Sequence, residues 1–119
     1  MIQQNIYEKL KQLCDDYYTL QAEAQKVVDG FNNSHSGDER NSLREKLKEV
    51  NEKTKACADE FSKIIRDTLA DLCRDNDDPV VENLKHKVLS PFDTCADNSC
   101  YNRINRLREL DEYVDSIKD

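Results

Sequence analysis

Apolar residues keep to one side of a helix for most of this chain. Ile6, Leu10, Leu13, Tyr17, Leu20, Ala24, Val27 and Phe31 are spaced alternately four and three apart, a seam held for nearly four heptads. Tyr7, Cys14 and Val28 lie one position further round, so the apolar face is wide enough to touch two neighbours. This predicts a first helix from about residue 3 to about residue 29, stopped at Gly30. N-N-S-H-S-G-D-E, residues 32–39, reads as an exposed loop, and Ser36 with Glu39 fits a capping box for the next helix. The second seam is Leu43, Leu47, Val50, Thr54, Cys57, Phe61, Ile64 and Thr68, flanked by Ile65, Leu69 and Leu72. Unbroken to Asn76, that helix would be about 57 Å long. A bend near the polar stretch N-E-K-T-K, residues 51–55, is the alternative.

D-N-D-D-P, residues 75–79, predicts a turn with Asp78 as N-cap and Pro79 as the first helical residue. A third helix carries Val80, Val81, Leu84, Val88 and Leu89 and must stop by Ser90, before Pro91. A fourth starts near Asn98 and carries Tyr101, Ile104, Leu107, Leu110, Val114 and Ile117. The expected fold is all-α: four helical segments packed as two antiparallel hairpins joined around residues 75–79, one domain over 1–119.

Composition sharpens this picture. Two Gly and two Pro leave little room for turns, while 36% of residues are charged. Leu, Ile, Val and Phe together number 27 of 119, just above the level at which a chain fails to fold, so the core is thin. Cross-links help most where a core is thin. The net charge of −7 argues against nucleic acid and against an anionic membrane surface as partners. No apolar run approaches the roughly 20 residues that span a bilayer. M-I-Q-Q-N-I-Y-E is not a signal peptide, so the chain is either cytosolic or a mature secreted chain carrying an added initiator Met.

The five cysteines decide between metal, redox and structural roles. Cys57 and Cys73 lie 16 residues apart on one helix, about 24 Å, and cannot share a zinc ion. His35 and His86 have no ligand spacing to any cysteine, and Cys95 with Cys100 is C-x-x-x-x-C in a helical chain, not the C-x-x-C of a redox centre. No metal or other cofactor is expected. In an antiparallel hairpin centred near residue 35, Cys14 and Cys57 lie level, which predicts a Cys14–Cys57 disulfide; their burial as small apolar residues is the alternative. Cys73 is then expected to join Cys95, or else Cys100.

Catalysis has little to stand on. The chain has no Gly-rich phosphate loop, no H-E-x-x-H and no recognisable Ser, His and Asp set, and no enzymatic activity is expected. Asp71, Asp75, Asp77, Asp78 and Glu82 lack the spacing of a calcium loop and read as helix capping with a solvated patch. Asn32-Asn33-Ser34 is a formal N-glycosylation acceptor. Arg103, Arg106 and Arg108 are less ordinary, because cations at the start of the fourth helix oppose its dipole. With Tyr101 and Tyr113 nearby they form a mixture enriched at protein interfaces, so Tyr101, Arg103, Arg106 and Tyr113 are the candidate partner-binding residues. Pairing of these arginines with surface carboxylates is the alternative.

L-C-D-D-Y-Y, K-A-C-A-D-E-F, D-L-C-R-D and D-T-C-A-D-N-S-C-Y set cysteines within long acidic helices. In that overall pattern the whole chain resembles the small all-helical salivary proteins of anopheline mosquitoes, the anophensin and albicin type. The resemblance implies a protein secreted in saliva during blood feeding that inhibits host defence by binding plasma proteins. Albicin-type members bind the C3 convertase of the alternative complement pathway. Anophensin-type members bind the contact factors, factor XII and kininogen. The chain would act as a monomer, without nucleic acid or membrane. An intracellular helical scaffold and a small-ligand carrier like the insect odorant-binding proteins are the competing classes. Carriers of that kind usually have six cysteines including C-x-x-x-C, which is missing from this sequence.

Overall fold

The computed structural model describes residues 2–74, 76–89 and 99–117. It is all-helical, with 90% of the described residues in four helices and no strand among them. They are α1 (Gln4–Asn33), α2 (Gly37–Leu72), α3 (Pro79–Leu89) and α4 (Ser99–Ile117).

Gly30 does not stop α1, which runs on to Asn33. A glycine ends a helix by turning its backbone left-handed, and Gly30 does not do so. Its missing side chain instead faces Leu43, whose methyls would lie 3.7 and 3.8 Å from an added Cβ. The turn to α2 is correspondingly short. The buried Ser34 takes the Phe31 carbonyl through its N–H at 3.2 Å, and its hydroxyl donates to the Ser36 carbonyl at 3.4 Å. Asn32 therefore sits on the last turn of α1 and not in a loop. Ser36 caps α2 as expected, its Oγ accepting the Glu39 N–H at 3.4 Å.

α2 does not break at residues 51–55 and is a single helix of 36 residues, about 54 Å long. The polar stretch is accommodated within the helix: the Thr54 hydroxyl donates back to the Val50 carbonyl at 2.9 Å. Beyond Leu72, the Cys73 N–H still reaches the Leu69 carbonyl at 2.9 Å. The Asn76 side chain accepts the Asp78 N–H, and Asp78 Oδ1 accepts the Val80 N–H at 2.8 Å, capping α3 as its sequence dictates.

Packing as two hairpins is compatible with this structure, in which α3 and α4 lie against each other, and the chain also divides into two compact units along a different line. One compact unit holds Met1–Gln12 and Phe61–Asp119, and a second holds Leu13–Glu60. α3 and α4, of 11 and 19 residues, pack against each other within the first unit. In the first unit Val81 and Val88 of α3 and Ile104, Leu107, Leu110 and Val114 of α4 are buried together with Tyr7, Leu10, Phe61, Ile65 and Leu69 from the ends of α1 and α2. The second unit is the α1–α2 hairpin around its short turn.

No disulfide is formed among the described residues, so the expected Cys14–Cys57 staple is not part of this structure. Cys14 is fully buried, which suits a thiol acting as a small apolar side chain. Cys57, Cys73 and Cys100 are half-buried. Cys95, expected to pair with Cys73, lies outside the described residues.

Candidate functional site

α4 holds α3 at both ends. At the C-terminus of α3, the last carbonyls have no partner within their own helix. Arg103 Nε donates to the Val88 carbonyl at 3.2 Å, its Nη2 to the Leu89 carbonyl at 3.2 Å, and Arg106 Nη1 to the Lys87 carbonyl at 3.1 Å. At the N-terminus, the Tyr113 hydroxyl donates to Asp78 Oδ2 at 2.9 Å while Oδ1 keeps its capping bond. The pairs 78 with 113 and 88 with 103 make α3 and α4 antiparallel. Cations that oppose the dipole of their own helix thus sit at the favourable end of the neighbouring one. The hydrogen bond to Asp78 is the main cause holding the Tyr113 phenol above its ordinary pKa, with desolvation adding to it.

This arrangement separates the four candidate residues. Arg103 and Arg106 come together at one end of α3, and Tyr113 lies at the other. Tyr101 instead lines a groove of about 250 Å³ between α1 and α4, with Tyr7, Glu8, Lys11, Ile104 and Arg108. The Arg108 guanidinium stands 4.7 Å from the centre of the Tyr7 ring. The acidic cluster is divided as well: Asp71 pairs with Arg74 at 3.2 Å, Asp78 caps α3, and Glu82 lies 3.5 Å from His86.

Compared with family models, curated proteins and solved structures, the chain matches none.

The polar centre of the larger unit is Asp111, only 7% exposed. Both of its carboxylate oxygens lie 3.1 Å from the Ile2 backbone N–H, and Oδ2 also accepts the Tyr7 hydroxyl at 3.0 Å. Burial first, and then the hydrogen bond to Asp111, push the Tyr7 phenol well above its ordinary pKa of 10.0. Sequence reasoning passed over Asp111, yet the signal was there. Ile104, Leu107, Asp111 and Val114 follow the same alternating three and four spacing as the apolar seams, which puts a carboxylate on the buried face.

At the end of α2, the Cys73 thiol is pushed above its ordinary pKa, chiefly by burial, with Glu82 adding and Lys85 opposing. A raised thiol pKa lowers the thiolate fraction available for exchange at neutral pH. Among the described residues, no three of His, Cys, Asp and Glu come together as a metal-binding set, and no helix is long and apolar enough to cross a membrane.

Proposed function

We propose that this chain is a secreted salivary inhibitor of host defence that works by occupying a protein partner, without turning over a substrate. The partner we propose is the C3 convertase of the alternative complement pathway. The observation that carries this reading is the set of cysteine-bearing acidic segments on which the family resemblance rests. The architecture supports it to the extent that Cys14, Cys57 and Cys100 lie on helices of an all-helical chain.

The binding surface proposed is the α3–α4 side, with Tyr101, Arg103, Arg106 and Tyr113. A standard interface takes about 800 Å² from each partner. Arg103 spends two of its five N–H donors on α3, which fixes the plane of its guanidinium before any partner arrives. In the oxidised secreted form, the proposed bridges are Cys14–Cys57 and Cys73–Cys95, or Cys73–Cys100. The first would contribute about 4 kcal/mol in the chain-entropy account. Peptide mapping without reductant should recover Cys14 joined to Cys57; Cys14 joined to Cys100, or recovered as a thiol, overturns that pairing.

An alternative-pathway haemolysis assay tests the function directly. Inhibition by the unmodified protein is expected, and Arg103→Ala with Arg106→Ala should weaken it by about tenfold or more, as hot-spot residues do. Both arginines also cap α3, so the thermal transition of the variant is measured alongside. Weakened inhibition at a temperature where the variant is still fully folded assigns them to the interface. Unchanged inhibition removes them from it. If the unmodified protein fails to inhibit, the convertase reading is wrong, and binding to factor XII and kininogen decides whether a contact-pathway role replaces it.

A further inference from the structure

Ile2 stands two residues ahead of α1, yet it belongs to the core, at 8% exposure. The first residues of a domain stay loose unless something ties them down. Two things tie down Ile2. Its side chain lines one wall of a cleft with Ile6, Ile64 and Leu72, all in the larger unit. Its backbone nitrogen lies 3.1 Å from each carboxylate oxygen of the buried Asp111. The Tyr7 hydroxyl donates to the same carboxylate at 3.0 Å, and the Arg108 guanidinium stacks on the Tyr7 ring at 4.7 Å.

A nitrogen at equal distance from two oxygens is poorly used by a peptide amide, which has one hydrogen to share between them. An ammonium has three hydrogens, enough for both oxygens, and it adds the positive charge that a buried carboxylate needs opposite it. We infer that Ile2 is a processing site, and that Asp111 is the receptor for the α-ammonium that Ile2 carries once the bond to the preceding residue is cut. The cut is a hydrolysis made by an external peptidase: water adds across the peptide bond, the preceding residue leaves with a carboxylate, and the Ile2 nitrogen takes up the protons as an ammonium. It precedes folding, because Ile2 is buried afterwards. The new charge then docks between the two oxygens of Asp111 while the side chain fills its place beside Ile6, Ile64 and Leu72. This site is independent of whichever protein the chain inhibits.

Three chains that differ only at this nitrogen test the inference: one starting at a free Ile2, one starting at N-acetyl-Ile2, and one retaining Met1. The free chain should unfold in denaturant with an equilibrium constant about tenfold smaller than the other two, which keep an amide at Ile2. A gain is diagnostic, since a cation just ahead of α1 would by itself oppose the helix dipole. In Asp111→Asn the free and acetylated chains should become equal. Titration of the Ile2 amine, followed by nitrogen NMR, should place it above its ordinary range of about 7.7–8.0, because the opposing carboxylate favours the charged form. The groups around it are Tyr7 on α1, Arg108, Asp111 and Glu112 on α4, and Asp67 and Asp71 on α2 across the cleft. Intact mass of the protein from its natural source should give a chain that starts at Ile2. Equal stability of the free and acetylated chains overturns the inference, as does an amine that titrates in its ordinary range. An advantage of the free chain that survives Asp111→Asn overturns it too, and so does a natural chain that retains a residue before Ile2. Should the Asn variant fail to fold, the acetylated chain and the amine titration decide alone.

Discussion

Twelve of the sixteen buried apolar side chains among the described residues belong to the unit of Met1–Gln12 and Phe61–Asp119. The hairpin unit, Leu13–Glu60, has only Leu13, Cys14, Val27 and Val50. The two regions are made of the same helices with the same kind of seam, so periodicity alone does not set how well a face is buried. What differs is the number of helices around the seam. Four meet in the larger unit, and two make the hairpin. In the hairpin, Leu43, Leu47 and Phe31 stay half-buried, and Phe31 is covered by the guanidinium groups of Arg40 and Arg44 at 5.0 and 5.3 Å. Such contacts are worth about 0.5–1 kcal/mol each at exposed sites, less than a buried leucine. The larger unit adds Asp111 and the bonds from α4 to both ends of α3.

Substitutions matched between the two regions should break or sharpen this contrast. Leu110→Ala removes a side chain with no exposure and should cost roughly 2–5 kcal/mol in denaturant unfolding. Leu47→Ala, at a half-buried site in the hairpin, should cost about 1 kcal/mol. Equal losses would mean that the hairpin is as well packed as the larger unit.

Asp111→Ala leaves the Ile2 N–H and the Tyr7 hydroxyl without their acceptor and should cost about 2–3 kcal/mol. The same site predicts a pH response. Because the phenol of Tyr7 is raised in the folded state, its contribution is complete below its ordinary pKa of 10.0. As pH rises above that value, the unfolded chain gives up this proton first, and stability falls. Thermal melts between pH 9 and pH 12 should therefore steepen downward in the parent, and Tyr7→Phe should flatten the slope.

At the rim of the same unit, Tyr113→Phe removes the bond to Asp78 but leaves the N-cap, and a loss of about 1 kcal/mol is expected. In the hairpin, Gly30→Ala should be stabilising by about 0.5–1 kcal/mol, since the helical backbone accepts a side chain and the new methyl would meet Leu43 at ordinary contact distance. A loss on Gly30→Ala would show that the hairpin is packed more tightly than its half-buried leucines indicate.

The sequence revealed most where the cause is local. Asp78 and Pro79 start α3 because capping depends on neighbours one to three residues away, and Ser36 starts α2 for the same reason. Gly30 misled, since glycine only permits a left-handed turn and here it serves the approach of Leu43. The seams identified the face of each helix but not its depth: Leu10 and Leu13 are buried, while Tyr17 and Leu20 on the same seam are half-buried, because depth depends on what lies opposite. Arg103 and Arg106 stood out against the dipole of α4, yet the carbonyls they reach lie 14 to 19 residues earlier in the chain, beyond any local rule.

Native-state hydrogen exchange, resolved by residue, tests the contrast between the two regions most directly. Amides within residues 61–72, 81–88 and 101–114 should be protected to the level of global unfolding. Those within residues 16–32 and 40–58 should exchange about tenfold faster or more, through an opening roughly 1.4 kcal/mol below the global one. A single protection level across all four helices would contradict the account, because it would mean that the thinly buried hairpin and the four-helix unit unfold only together.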